Sequence, residues 1–378
     1  MENQVSEALE THFSRLKDPR IKRKKLYPLM EILFVVLCGT ICGAESWRDF
    51  VLFGKEKIDF LRQYFAFSNG ILSKDTFARL FVILDPEIFK ECFISWVKSL
   101  QEALNEVVAI DGKTLCNSID ELSNVPAIHM VSAFATKARL VLAQQKVDDK
   151  SNEITAIPLL LDLLSLKGNI ITLDAMGCQR AIAEKIHEKE ADYVLSLKGN
   201  QGTLSKDVEL FLETEVAKES SSAIEDRYEE VDKGHGRIET RRCIASSQID
   251  WLEHKPQWRG LRTIAMIEET REIGNKISIE RRFFISSLPA DAKQIASAVR
   301  AHWLIENALH WTLDVVFNED NSRIRKKNAG QNMAIIRHIT FNMLSNAKKY
   351  FKDIGTKALQ KKAGWGNSTL ALILRQNF

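Results

Sequence analysis

The amino-acid sequence predicts an α/β protein: a mixed-sheet core, a β-rich insertion inside it, and a helical N-terminal domain in front of it. Three observations lead there. Residues 1 to about 100 show no strand-like alternation and read as successive helices. From Glu106 short β-rich runs begin, three in succession and then alternating with helices. A polar, strand-like stretch over about 216–288 interrupts that alternation before a long helix resumes.

In chain order, the apolar run Ile32–Ala44 comes first. Its 13 residues contain Gly39 and Gly43, and it falls short of the roughly 18–20 residues that span a bilayer, so a buried helix is expected. WRDFVLFGKEKIDFLRQYF and SKDTFARLFVIL continue the helical part, with Ser73 and Asp75 placed to cap and Asp85-Pro86 placed to break. VVAIDGKTL, HMVSAFAT and RLVLAQQKV read as strands, EITAIPLLLDLLSL as a helix and NIITLDA as a strand. A helix from Cys178 to about Glu190, the strand DYVLSLKG and a helix over LSKDVELFLE follow. The insertion holds RRCIASSQID, LRTIAMIEETREI and ISIERRFFISSL, and the long helix runs from Asp291 to about Phe317. The expected parts are therefore 1–104 (helical), 105–215 (first part of the sheet domain), 216–288 (insertion) and 289–378 (remainder, with the long helix and C-terminal helices).

Of the 378 residues, 45% are hydrophobic and 27% charged, an ordinary globular balance. Lys and Arg number 53 against 50 Asp and Glu, a net charge of +3. That total does not announce a nucleic-acid partner, and only local clustering can. The six cysteines show no CxxC pairing, so neither a zinc site nor a disulfide framework is indicated, and a reducing cytoplasm is expected. MENQVSEALE carries acids and no apolar core, so no secretory signal is expected.

Three carboxylates stand out. Asp111 ends the apolar run VVAI and is followed by Gly112, Lys113 and Thr114, where an unpaired charge is costly to bury. Asp174 repeats the pattern after NIITL, followed by the small residues Ala175 and Gly177. Two strand-end carboxylates in one sheet can converge. Glu306 lies mid-helix among Trp303, Ile305 and Trp311, too apolar a setting for a purely solvated face. Magnesium prefers hard oxygen ligands, and paired ions serve phosphodiester displacement. Each residue also has a plainer reading: the aspartates as turn formers or caps, the glutamate as a surface charge. Asp314, eight residues after Glu306, is the rival third ligand.

The strings AIDGKT, AIHMVSAFAT, QQKVDDKSNEITAIPLLLDLL, ITLDAMGCQ, DYVLSLKGNQGTL, GHGRIETR and HWLIENALHWTLDVVFNED resemble the bacterial insertion-sequence DDE transposases, in the branch of the H-repeat-associated proteins. DPRIKRKKLYPLMEILFVVLCGTICGAESWRDF resembles their helical N-terminal domain, so the likeness covers nearly the whole chain. The resemblance implies a ribonuclease H-like core and maps the catalytic, metal-binding triad onto Asp111, Asp174 and Glu306. It implies Mg²⁺ or Mn²⁺, two ions, and cleavage with strand transfer at transposon ends. The expected partner is double-stranded DNA, as terminal inverted repeats and target, with a homodimer in the synaptic complex, no membrane, and work on nucleoid DNA in the bacterial cytoplasm. Two departures matter. The wider superfamily's Y-x2-R-x3-E-x6-K pattern meets Val299, His302 and Leu313 here, and Cys116-Asn117 stands where relatives commonly show Arg-Gly. They motivate a second reading, a catalytically impaired, transposase-derived DNA-binding protein.

Supporting residues surround the triad. His302, Glu306 and His310 recur every four residues on one helix face, where the imidazoles can contact metal-bound water or DNA phosphate, or serve structure alone. Lys113 and Lys198 follow strand ends, where an ammonium can meet phosphate. Gly234-His235-Gly236-Arg237 reads as a DNA-approaching turn or a simple hairpin, placing His235 and Arg237 among the DNA candidates. Lys17, Arg20, Lys22, Arg23, Lys24 and Lys25, and later Arg323, Arg325, Lys326 and Lys327, form the basic clusters best suited to duplex contact.

Overall fold

A computed structural model of the chain describes residues 2–21, 23, 25–100, 105–118, 126–148, 151–218, 221–234 and 236–378. The N-terminal part comprises α1 (Glu2–Phe13), α2 (Leu29–Ile41), α3 (Trp47–Glu56), α4 (Ile58–Leu61), α5 (Lys74–Ile83) and α6 (Pro86–Leu100). α2 is the expected apolar helix, buried at nearly every position and so packed on all sides. α3 opens on a reciprocal cap: Ser46 Oγ accepts from the Asp49 N–H, and Asp49 Oδ2 accepts from the Ser46 N–H. Asp85-Pro86 ends one helix and starts the next. Pro86 occupies the first turn of α6, where no N–H is needed, and Asp85 Oδ1 accepts from the N–H groups of Glu87 and Ile88.

Nine strands form a single sheet: β1 (Val107–Leu115), β2 (Ile128–Ala135), β3 (Leu140–Lys146), β4 (Ile170–Leu173), β5 (Asp192–Leu197), β6 (Asp226–Gly234), β7 (Arg237–Ser246), β8 (Thr263–Ile273) and β9 (Lys276–Ser286). Their order is β3-β2-β1-β4-β5-β9-β8-β7-β6. β1, β4 and β5 are parallel, and the other neighbours antiparallel. The helices of this part are α7 (Glu153–Asp162), α8 (Arg180–Glu188), α9 (Thr203–Val216), α10 (Ala292–Leu304), a π-helical turn over Ile305–His310, α11 (Trp311–Val315), α12 (Ala329–Ala347), α13 (Thr356–Trp365) and α14 (Asn367–Arg375).

The insertion does not stand apart from the sheet. β9 pairs with β5, Val194 opposite Ser286, so the four inserted strands lengthen the central sheet from its parallel edge. β6, a polar strand, escaped the sequence reading because its residues alternate without an apolar face. α10 lies across this continuous surface, its Ala292, Ile295, Ala298 and Val299 packed on Val194, Cys243, Ile267 and Phe284. The N-terminal helices share the main core, which runs from Val5 and Phe93 through Ile110 and Val131 to Met343.

Two expectations change in detail. β1 continues to Leu115, so Asp111 lies inside the strand and not at its end. The reason is the pairing: β4 accompanies β1 only as far as Ile110, while β2 accompanies it from Val108 to Leu115. The long helix starts as expected, Asp291 capping α10 by accepting from the Gln294 N–H, but its middle is wound as a π turn. Among the described residues no helix is long and apolar enough to cross a membrane. All six cysteines are free.

Candidate active site

The parallel ladder sets the first two acids side by side. Ile110 pairs with Leu173, so the next residues outward, Asp111 and Asp174, stand at one level on neighbouring chains, which a sheet spaces about 4.8 Å apart. Asp174 leaves β4 in a tight turn, its Oδ1 accepting from the Gly177 N–H at 3.0 Å. A Cβ on Gly177 would lie 2.8 Å from Leu173 Cδ2, so the turn closes against the strand only without a side chain.

The third acid arrives from α10. Thr172 Oγ1 and His302 Nδ1 are hydrogen-bonded at 2.9 Å, pinning the last turn of that helix to β4 two residues before Asp174. Directly afterwards the chain winds with i→i+5 bonding over Ile305–His310, and this turn carries Glu306 four residues beyond His302. Glu306 is exposed, but burial of its carboxyl end, then the charge of Asp174, raises its pKa. Asp111 is pushed up to about 7. Burial is the main cause, the Gly112 N–H opposes it, and the charges of Glu153, Asp174 and Glu306 add to it. These acids thus act on one another. Among the described residues no three His, Cys, Asp or Glu side chains stand at metal-ligand spacing.

The residues around the acids differ from a ring of exposed cations. Lys113 is 10% exposed, and its ammonium lies 2.7 Å from Asp314, 2.8 Å from Asp320 and 3.7 Å from Glu319. Glu319 in turn meets Arg337 at 3.1 Å. Asp314 is therefore paired with Lys113, whereas the charge acting on Glu306 is that of Asp174. His302 and His310 are both lowered to about 4, first by burial, and are neutral imidazoles at pH 7. His310 Nδ1 lies 3.7 Å from Asp111 Oδ2.

Lys198 is exposed just past β5, at the same end of the sheet as Asp174. Its loop is tied to the Asp174 turn: Asn200 Nδ2 donates to the Ala175 carbonyl at 2.7 Å and Gln201 Nε2 to that of Cys178 at 2.6 Å. Arg237 lies on the β6–β7 hairpin, its Nε 2.9 Å from Glu239. Arg237, Arg241, Arg282, Trp303 and Asn307 line one groove of about 580 Å³ between the inserted strands and the helix bearing Glu306. His235, Lys22 and Lys24 lie outside the described residues. Arg323, Arg325, Lys326 and Lys327 are exposed. The first three line a cleft of about 1060 Å³ together with Arg20 and Arg79 of the N-terminal part, so the structure unites stretches some 300 residues apart. Arg20 itself is held by Asp18 through two hydrogen bonds of 2.9 and 2.8 Å.

Glu153 is the acid the sequence reading missed. It follows Asn152, which caps α7 by accepting from the Ile154 N–H, so it looks like an acid complementing a helix N-terminus. Only the fold brings it to Asp111.

Residues 103–343 match the family described as Transposase DDE domain, and residues 10–97 match the one described as DDE_Tnp_1-associated. The chain is 42% identical over 372 residues to the "H repeat-associated putative transposase YhhI" of Escherichia coli (strain K12), covering 97% of both chains. It is 41% identical to the "Putative transposase YncI" of Escherichia coli O157:H7, over 94% of this chain and 91% of that one. It is 44% identical to the "Uncharacterized protein in dhlA 3'region" of Xanthobacter autotrophicus, over 74% of this chain and 94% of that one. The family match spans the sheet, the acids on it and the helix that follows the insertion, and the first two relatives align along nearly the full length; the chain belongs to the DDE transposase family.

Proposed function

We propose that the protein is a metal-dependent DNA transposase that hydrolyses a phosphodiester at each transposon end and joins the freed 3′ hydroxyl to a target-strand phosphate, whose own 3′ oxygen leaves. The observation carrying this reading is the register of Ile110 opposite Leu173, which sets Asp111 and Asp174 side by side, with Glu306 near enough for the charge of Asp174 to act on it. The strand order β3-β2-β1-β4-β5, followed after the insertion by the helix bearing Glu306, supports a ribonuclease H-like core.

The donor set fits magnesium or manganese: carboxylate oxygens alone, open to solvent on the Glu306 side. Asp111, Asp174 and Glu306 would hold two ions. When bound, these supply Lewis-acid activation of the attacking oxygen and charge neutralisation at the leaving one. His302 fixes the helix over β4, and the neutral His310 packs beside Asp111 without adding charge. Lys113 braces Asp314, Glu319 and Asp320 and so sets the end of the same helix. Lys198, Arg323, Arg325, Lys326 and Lys327 offer exposed cations to the phosphates of transposon ends and target, and Arg237 to a strand lying in the insertion groove. Bringing two ends together calls for a homodimer acting on nucleoid DNA in the bacterial cytoplasm.

Purified full-length chain, end-containing DNA and Mg²⁺ or Mn²⁺ test the reading. Nicking at the element end by the parent, and none by Asp111→Asn, Asp174→Asn or Glu306→Gln, is the expected result. Gel shift by the parent without any nicking would instead make the chain a DNA-binding derivative.

A further inference from the structure

Strand alternation places Asp111, Lys113, Met130 and Ser132 on one face of the sheet and Gly112, Thr114, Val131 and His129 on the other. α7 covers the second face of β2 and β3, and Glu153 is its first residue. The Glu153 carboxylate lies 2.6 Å from His129 Nε2, and His129 Nδ1 lies 2.7 Å from Thr114 Oγ1. This pair presses on the backbone next to Asp111. A Cβ on Gly112 would fall 2.2 Å from Glu153 Oε1 and 2.6 Å from His129 Nε2, so any other residue there would expel the pair. Glu153 is 14% exposed at its side chain. β4 pairs with β1 only as far as Ile110, so Asp111 and Gly112 have no strand partner on that side.

We infer that Glu153 is a fourth acid of the metal centre, seated in the space that Gly112 leaves, held there by His129, and directed round β1 toward Asp111 where β4 no longer pairs with that strand. The inference rests on the metal-dependent reading above. Glu153 would supply an oxygen donor from the face opposite Glu306, and His129 is its positioning residue.

Mn²⁺ binding to the full chain without DNA, followed by isothermal titration calorimetry, tests this independently of turnover. Asp111→Asn and Glu153→Gln should each weaken Mn²⁺ binding about tenfold or more. His129→Ala should weaken it several-fold, and His129→Gln, whose amide can donate to Glu153 from the position of Nε2, should recover most of the loss. Urea midpoints establish that each variant is folded. Should Glu153→Gln not fold, Glu153→Asp and Gly112→Ala replace it, and the latter should weaken Mn²⁺ binding by pushing the pair aside. Parent-like Mn²⁺ affinity in the Glu153 and Gly112 variants, with Asp111→Asn impaired, overturns the inference and leaves the metal reading intact. Parent-like affinity in Asp111→Asn overturns the metal reading, and the inference with it.

Discussion

The ammonium of Lys113 lies 2.7 Å from Oδ1 of Asp314, joining a strand to a helix 201 residues further along the chain. Asp320 and the buried Glu319 complete its surroundings. Removing the ammonium while leaving three acids uncompensated is costly, though two of them are partly exposed and screened. Lys113→Met should lose about 2 kcal/mol of stability in urea titrations. Combining it with Asp314→Asn and Asp320→Asn should return part of that loss. A destabilisation under about 0.5 kcal/mol, the level of an ordinary surface substitution, would remove Lys113 from the role of brace.

The same contact separates two acids that lie eight residues apart on one helix. Asp314 is paired with Lys113, whereas the charge of Asp174 acts on Glu306. In the nicking assay Glu306→Gln should fall below detection. Asp314→Asn, acting only through the brace, should retain activity within about tenfold of the parent and show its effect mainly in the urea midpoint. Equal loss of nicking in both variants, with both folded, would count against Glu306 as the sole third ligand.

Much of this arrangement was legible in the chain, and the exceptions have physical causes. Asp111 and Asp174 were visible because each carries a charge where an apolar run leaves no place for one, whereas Glu306 stood out through its resemblance, since it and its neighbours Trp303 and Trp311 are exposed. The location of Asp111 inside β1 was not, because β2 extends the strand through a pairing that local periodicity does not encode. The π turn under Glu306 has no sequence signature in IENALH, which reads as ordinary helix. Lys113 looked like an exposed cation because its three partners are more than 200 residues away. Glu153 was hidden for the opposite reason, since its local setting at a helix start accounts for an acid completely. The continuity of the insertion with the sheet rests on the edge pairing of β5 with β9, again a non-local fact.

Buried histidine makes the fold sensitive to acid. His338, on α12 beside Phe93, is lowered to about 3, chiefly by burial and then by His310, Arg337 and Lys113. Its folded pKa lies below the ordinary value of 6.5. Between those two values the unfolded chain takes up a proton that the folded chain refuses, so stability is intact above pH 6.5 and is lost as pH falls. The slope approaches about 1.4 kcal/mol per pH unit, or about 2 kcal/mol between pH 7 and pH 5. His338→Met should therefore close the gap to the parent, or overtake it, as urea midpoints are compared at pH 7, 6 and 5. A gap independent of pH would show that another group governs the acid sensitivity.

The cleft between the N-terminal helices and the 323–327 segment calls for a measurement of charge rather than of affinity alone. Arg323 and Lys326 are exposed on its wall, opposite Arg79, while Arg20 is already engaged by Asp18. Cations that neutralise phosphates release counterions, and the logarithm of the binding constant then falls with the logarithm of salt by about 0.9 per phosphate contacted. Removing Arg323 and Lys326 together, as Arg323→Gln with Lys326→Gln, should flatten that slope by roughly 2, and by the same amount for end-containing and unrelated duplexes. The variant should retain the parent's urea midpoint, because neither side chain is buried. An unchanged slope would place the DNA elsewhere on the molecule. A change confined to end-containing DNA would mean that these side chains read bases rather than phosphates.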